Sequence, residues 1–110
     1  MATSTYKPLA QNAPVATTLT DVYTVPADTA AVISSVTVCN RSSSERTFRI
    51  SVAVAGASDT VAQYVAYDMA VPGNDTVFLQ LGITLSATDV LRAYVSAADV
   101  SVNVFGMELS

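Results

Sequence analysis

Residues 30–55 read AAVISSVTVCNRSSSERTFRISVAVA, two runs of alternating apolar and polar residues on either side of a polar loop. Val32, Val36 and Val38 fall on one face of the first run; Phe48, Ile50, Val52 and Val54 fall on one face of the second. A period of two is what a half-buried strand requires, because successive side chains point to opposite faces of a sheet. Residues 40–45 supply the polar connection, so the simplest reading is a hairpin of two neighbouring strands. The rest of the chain is then expected to add strands to this pair.

Working outward, residues 1–14 are polar, contain Pro8 and Pro14, and lack a period. They predict an extended N-terminal arm ahead of a β-sandwich domain over 15–110, with a frayed terminus as the alternative. Residues 15–25 carry Leu19, Val22, Tyr23 and Val25 and predict a strand broken or bulged near Thr20 and Asp21, ended by a turn at Pro26-Ala27-Asp28. Beyond the second central run, Gly56-Ala57-Ser58-Asp59 closes the strand. The segment VAQYVAYDM (61–69) alternates imperfectly, with Val65, Tyr67 and Met69 on one face and Tyr64, Ala66 and Asp68 on the other. A helix competes there, but two tyrosines and the following turn favour a strand. In that turn, Val71-Pro72-Gly73-Asn74, Pro and Gly occupy the central positions of type II.

Residues 74–81 predict a strand with Val77, Leu79 and Leu81 inward, broken by Gly82 and continued briefly by Ile83-Thr84-Leu85. In 89–97, Leu91, Ala93 and Val95 point inward and Arg92 and Tyr94 outward. Val100, Val102 and Val104 line the inner face of the last strand, which Gly106 interrupts as a bulge or a close backbone approach would. Turn signals recurring about every 10–15 residues without an amphipathic helix describe an all-β antiparallel sandwich or barrel.

Composition narrows the function. The chain has 110 residues, 51% of them hydrophobic and 13% charged, enough for one domain and one core. Each fully buried valine contributes about 1.5–3 kcal/mol, so a valine-rich sandwich of this size folds without disulfides. The single cysteine, Cys39, has no partner for an internal bridge and reads as a small buried hydrophobe rather than a reactive thiol. Five basic residues against nine acidic ones, net charge −4, argue against gripping nucleic acid by its phosphates. MATSTYKPLA has no long apolar run, and no segment approaches the ~20 apolar residues of a spanning helix, so no signal peptide and no membrane partner are expected. Asn40-Arg41-Ser42 and Asn74-Asp75-Thr76 match the glycosylation pattern but without a secretory signal carry no weight.

Histidine is absent, which removes the usual serine and cysteine triads and His-containing metal sites. Asp21, Asp28, Asp59, Asp75, Asp89 and Asp99 sit at predicted turns, where aspartate caps its own backbone. Asp68, beside Tyr67 within a strand, could serve as a general acid or base, but no second acid lies at strand spacing and pairing with an arginine is the simpler role. Arg41, Arg46 and Arg49 surround the loop RSSSER. It lacks the glycines and lysine of a phosphate-binding loop, and the readings are a solvated loop with Glu45 as local partner or a subunit contact.

YTVPADTAAVISSVTVCNRSSSERTFRISV (23–52) and LGITLSATDVLRAYVSAADVSVNVFGMEL (81–109), with Tyr6-Lys7-Pro8-Leu9 and Pro14 ahead of them, resemble a class of small tailed-phage virion proteins. The resembling features are the YTVP start, a strand ending in CNR, a TFR strand, a TDV strand entry and a closing FG-x-E; residues 57–75 match less well. The resemblance implies a jelly-roll-like β-sandwich and a virion component made in the host cytoplasm. That component would be a capsid decoration (cement) protein, often a homotrimer, bound to the major capsid protein. Neck, tail, baseplate or fibre protein is the alternative within the same class. A lectin-like glycan-binding module is the rival, hinted at by Tyr67-Asp68 and Asn74-Asp75. An enzyme is not expected, nor any cofactor. Expected protein contacts are Tyr6 and Leu9 on the arm, Arg41, Arg46 and Arg49 around the loop, and Tyr64 and Tyr94. Phe105 is either a further contact or filler of the sandwich's second face.

Overall fold

The computed structural model describes residues 3–80 and 82–110. Over those residues it is all-β: nine strands form two antiparallel sheets packed face to face. They are β1 (Ser4–Asn12), β2 (Thr20–Thr24), β3 (Ala30–Asn40), β4 (Arg46–Ala53), β5 (Tyr64–Val71), β6 (Thr76–Leu79), β7 (Ile83–Leu85), β8 (Val90–Val95) and β9 (Val100–Leu109). The first sheet has the order β1-β9-β3-β6, with β7 also paired to β3; the second has the order β2-β8-β4-β5. The shortest extent of the molecule, 19 Å, is that of two sheets about 10 Å apart with their outer side chains.

Alternation in β8 and β9 works as expected. Leu91, Ala93 and Val95 from one sheet meet Val100, Val102 and Val104 from the other, all fully buried. Phe48 and Ile50 of β4, and Ile33, Val36 and Val38 of β3, complete the centre of the core. In β3 the phase slips once. The pairing with β9 passes from Ile33–Gly106 to Ser35–Phe105, leaving Ser34 as a bulge whose hydroxyl donates to the Phe105 carbonyl at 3.1 Å. Ala31 and Ile33 therefore face inward before the bulge and Val36 and Val38 after it. Val32, expected on the same face as Val36, lies on the outer face opposite Met107. Cys39 is only half-buried for the same geometric reason: it alternates with inward Val38 and Asn40. At the end of β4, Val54 leaves the expected inward face. It opens a 3₁₀ turn (Val54–Gly56) and is 68% exposed.

The central pair is not a hairpin. β3 belongs to the first sheet and β4 to the second, and residues 41–45 arch across the gap between them. Asn40 holds the arch. Its side-chain amide nitrogen lies 2.7, 3.1 and 3.2 Å from the carbonyls of Ser44, Val71 and Pro72, and its oxygen accepts from the Ser42 amide at 2.9 Å. The β5–β6 turn packs backbone to backbone on this arch, with the Asn74 amide donating to the Ser42 carbonyl at 2.7 Å. It is not the type II turn expected: the left-handed residue is Asn74 (φ 54°), not Gly73. Gly73 is needed for proximity, since a Cβ there would stand 2.2 Å from the Ser43 carbonyl oxygen. Gly73→Ala is accordingly expected to cost about 1–3 kcal/mol in urea unfolding, by forcing the two loops apart.

The extended arm expected over residues 1–14 is, in its described part, an edge strand of the domain. β1 pairs with β9 from Ser4–Leu109 to Asn12–Val102, with one irregularity near Pro8 and Ala10. Asn12 and Ala10 continue the ladder beside buried Val102 and Val104, and Pro14 is buried, so the segment is part of the sandwich rather than separate from it. Val15 is exposed and precedes β2, which carries the irregularity expected near Asp21. Val77 and Leu79 pack against the core as expected; Leu81 lies outside the described residues.

One polar cluster closes the side of the sandwich where β1 approaches β2. The Tyr23 hydroxyl donates to Glu108 at 2.5 Å, and Lys7 Nζ is 2.9 Å from the same carboxylate. The Tyr23 hydrogen bond, then that from Lys7, holds the Glu108 carboxyl below its ordinary value. Burial, then the Glu108 hydrogen bond and charge, pushes the Tyr23 hydroxyl up. A carboxyl with a lowered folded pKa stabilises the fold above the ordinary value, 4.5, and loses that contribution as pH falls through the lowered one. A phenol with a raised folded pKa contributes fully below its ordinary 10.0 and loses that contribution as pH rises beyond it. The thermal midpoint is therefore expected to hold steady near neutrality and to decline on both sides. Tyr23→Phe should reduce the alkaline decline, while Asp99, whose carboxyl is held low by Arg46, keeps its share of the acid one.

Candidate functional site

The outer face of the second sheet carries the densest group of chemistry-bearing side chains. β4 places Arg49 there, between inward Phe48 and Ile50. Across one ladder it pairs with Tyr94 of β8. Across the other, the register passes from Phe48–Met69 to Ile50–Ala66, so the single residue Arg49 faces the two residues Tyr67 and Asp68. Asp68 adopts φ 50°, the left-handed conformation of a bulge. The extra residue turns two consecutive side chains onto the same partner. The Arg49 guanidinium sits 4.2 Å from the Tyr67 ring centroid and 4.4 Å from that of Tyr94. Its Nε and Nη2 donate to the Asp68 carboxylate at 2.6 and 3.3 Å. Tyr64 meets Tyr67 edge to face at 5.0 Å.

This bulge also breaks the alternation expected for 61–69. Tyr64, Tyr67 and Asp68 share the outer face with Arg49, whereas Ala66 and Val71 are buried in the core. Ser51, next on the outer face of β4 after Arg49, pairs with Arg92 on one side and Tyr64 on the other. Ser51 is 1% exposed and its hydroxyl has no hydrogen-bond partner. Arg92 in turn ties down the segment between β4 and β5. Its guanidinium donates to Asp21 at 2.7 Å, to the Ala57 carbonyl at 2.9 Å and to Asp59.

The expected contacts thus separate into three groups. Arg49, Tyr64 and Tyr94 come together around Asp68. Arg41 and Arg46 do not join them; they clamp the β8–β9 turn. Arg46 forks Asp99 at 3.0 Å through both Nε and Nη2, and Arg41 donates to the Ala98 carbonyl at 2.9 Å and to the Ser101 hydroxyl at 3.0 Å. Arg46 takes its carboxylate partner from Asp99, not from Glu45, to which it reaches only the main-chain carbonyl at 3.5 Å. Tyr6 and Leu9 lie on β1. Tyr6 is 82% exposed on the outer face of the first sheet, where it borders a shallow apolar hollow with Val32, Ser34, Gly106 and Met107. Leu9 is partly buried against the core, and Phe105 is half-buried.

The Arg49 cluster presents a fixed ion pair flanked by aromatic rings. Asp68 is engaged by the Arg49 guanidinium at both oxygens, a charge-assisted pair that fixes the position of both side chains. Among the described residues no three His, Cys, Asp or Glu side chains converge as metal ligands, and no helix is long and apolar enough to cross a membrane. Three structurally decisive residues have weak sequence signals. Asn40 reads as the first residue of a loop, and Arg92 as one more outward strand residue. Asp89 reads as a turn aspartate and is one: it accepts from the Ser86 amide at 2.9 Å and also from the Ala55 amide, 34 residues away, at 2.8 Å. No known family model matches the sequence, and no curated protein matches it.

Proposed function

We propose that this protein is a non-enzymatic structural component of a phage particle, a decoration protein that binds the outside of the capsid shell and stabilises it. The observation that carries the reading is the strand order. Sheets ordered β1-β9-β3-β6 and β2-β8-β4-β5, with most successive connections crossing between them and β4 to β5 kept within one sheet, support a jelly-roll reading. That fold recurs in viral capsid and lectin domains. The resemblance of residues 23–52 and 81–109 to small virion proteins points to the first of those settings. Fold alone does not assign function, so the reading rests on the two together.

In this reading the shell-binding surface is the outer face of the first sheet. Tyr6, and Phe78 at 71% exposure, offer aromatic anchors there, with Val32 and Met107 between the strands. Exposed aromatic and aliphatic side chains on one face are what a partner surface buries. A second copy of the chain, in a trimer, would cover the edge strands. Co-sedimentation tests the proposal: the purified chain is added to particles that lack it. Saturable binding to tail-less shells, weakened in Tyr6→Ala or Phe78→Ala, supports decoration. Binding confined to tails or necks moves the protein to the alternative location. Binding to neither overturns the proposal.

A further inference from the structure

We propose that the outer face of the second sheet, around Tyr67, Asp68, Arg49 and Tyr94, is a binding site for a neutral saccharide. The site is independent of the shell-binding reading, since it lies on the opposite sheet. Three features carry it. The first is a paired donor and acceptor held in fixed geometry. Arg49 is stacked between two rings and forked to Asp68, so neither group can rotate away, and its side chain is still 23% exposed. The Asp68 side chain, 46% exposed, keeps lone pairs for further donors, and the guanidinium keeps N–H groups beyond the two given to Asp68. A vicinal diol both donates to a carboxylate and accepts from a guanidinium, and so fits this pair.

The second feature is aromatic surface. Tyr67 is 56% exposed although one ring face is spent on Arg49, and Tyr64 braces it edge-on. A rigid, half-exposed ring supplies the flat apolar contact that the C–H face of a sugar ring needs. The third is Ser51. Its hydroxyl is buried and unpartnered on the same face of β4 as Arg49, two residues along and beside Tyr64. Buried polar groups are almost always satisfied, so the unpaired Ser51 hydroxyl gives a bound hydroxyl a further partner once a neighbouring side chain on that face moves aside on binding. Charge selects the ligand class. Arg49 and Asp68 cancel locally and the chain carries −4 overall, which disfavours acidic glycans.

The test is an array of immobilised neutral and acidic glycans probed with the whole chain. Titration of the best neutral hit follows, read by tyrosine fluorescence and by amide NMR shifts. We expect binding to neutral glycans, with the shifted amides clustering at 49–51, 64–68 and 92–94. Tyr67→Ala and Asp68→Asn should each weaken it about tenfold or more, while Tyr6→Ala, on the other sheet, leaves it unchanged. The wild-type NMR map decides the matter even if a variant fails to fold. Absence of any neutral glycan binding at millimolar concentration, shifts mapping elsewhere, or binding restricted to acidic glycans would each overturn the proposal.

Discussion

Asn40→Ala is expected to destabilise the domain by about 3 kcal/mol, although the residue is polar. Asn40 is 1% exposed at the end of β3, where the chain leaves the first sheet for the second. Its amide serves the Ser44 carbonyl in the arch and the Val71 and Pro72 carbonyls at the end of β5, while its oxygen takes the Ser42 amide. Truncation removes a donor from the buried Val71 carbonyl and from part-buried groups in both loops, and a buried group left unsatisfied costs about 1–3 kcal/mol. Asn40→Asp separates the roles. A carboxylate keeps the bond from Ser42 but cannot donate to the carbonyls, so it should be no more stable than the alanine variant near neutral pH. Urea unfolding followed by circular dichroism measures both; a loss below about 1 kcal/mol for Asn40→Ala would mean that the arch is held by its backbone alone.

Phe48→Ala should cost about 3–5 kcal/mol, the range for removing a fully enclosed aromatic ring. Phe48 is the largest wholly buried side chain and pairs across β4 with Val95 on one side and Met69 on the other. It thus joins three strands of the second sheet, and its loss opens a cavity that neighbouring strands cannot close without moving the core. Val54→Ala, six residues along the same expected face, should change stability by less than about 0.5 kcal/mol, because Val54 is exposed. Equal effects at the two positions would contradict the end of the strand at Ala53.

The contrast between those two valine and phenylalanine positions shows what the sequence conveys. Alternation identified the strands and most inward residues, because burying one side of a pleated strand imposes a period of two. It could not tell whether β3 and β4 pair in one sheet or face each other across the core, since both arrangements bury the same residues. Asn40 decides between them through contacts with Val71 and Pro72, more than thirty residues away, and no local pattern carries that information. Bulges at Ser34 and at Tyr67-Asp68 each shifted the phase by one residue. Those shifts moved Val32 outward and turned Asp68 onto Arg49. The candidate site was legible only as separate pieces: Arg49, Tyr64, Tyr94 and the Tyr67-Asp68 pair were each visible, but their convergence depends on a bulge. The N-terminal strand was invisible for a simpler reason. An edge strand with one half-buried face and two prolines nearby has little apolar period to read.

The central functional claim is that the protein decorates the shell in many copies, and quantitative mass spectrometry of purified particles tests it most directly. A copy number comparable with that of the major shell protein is expected. A few copies, or a ring's worth, would contradict shell decoration and place the protein in the neck, tail or fibre. Absence from the particle would contradict the structural role altogether and leave the saccharide site as the chain's principal recognised chemistry.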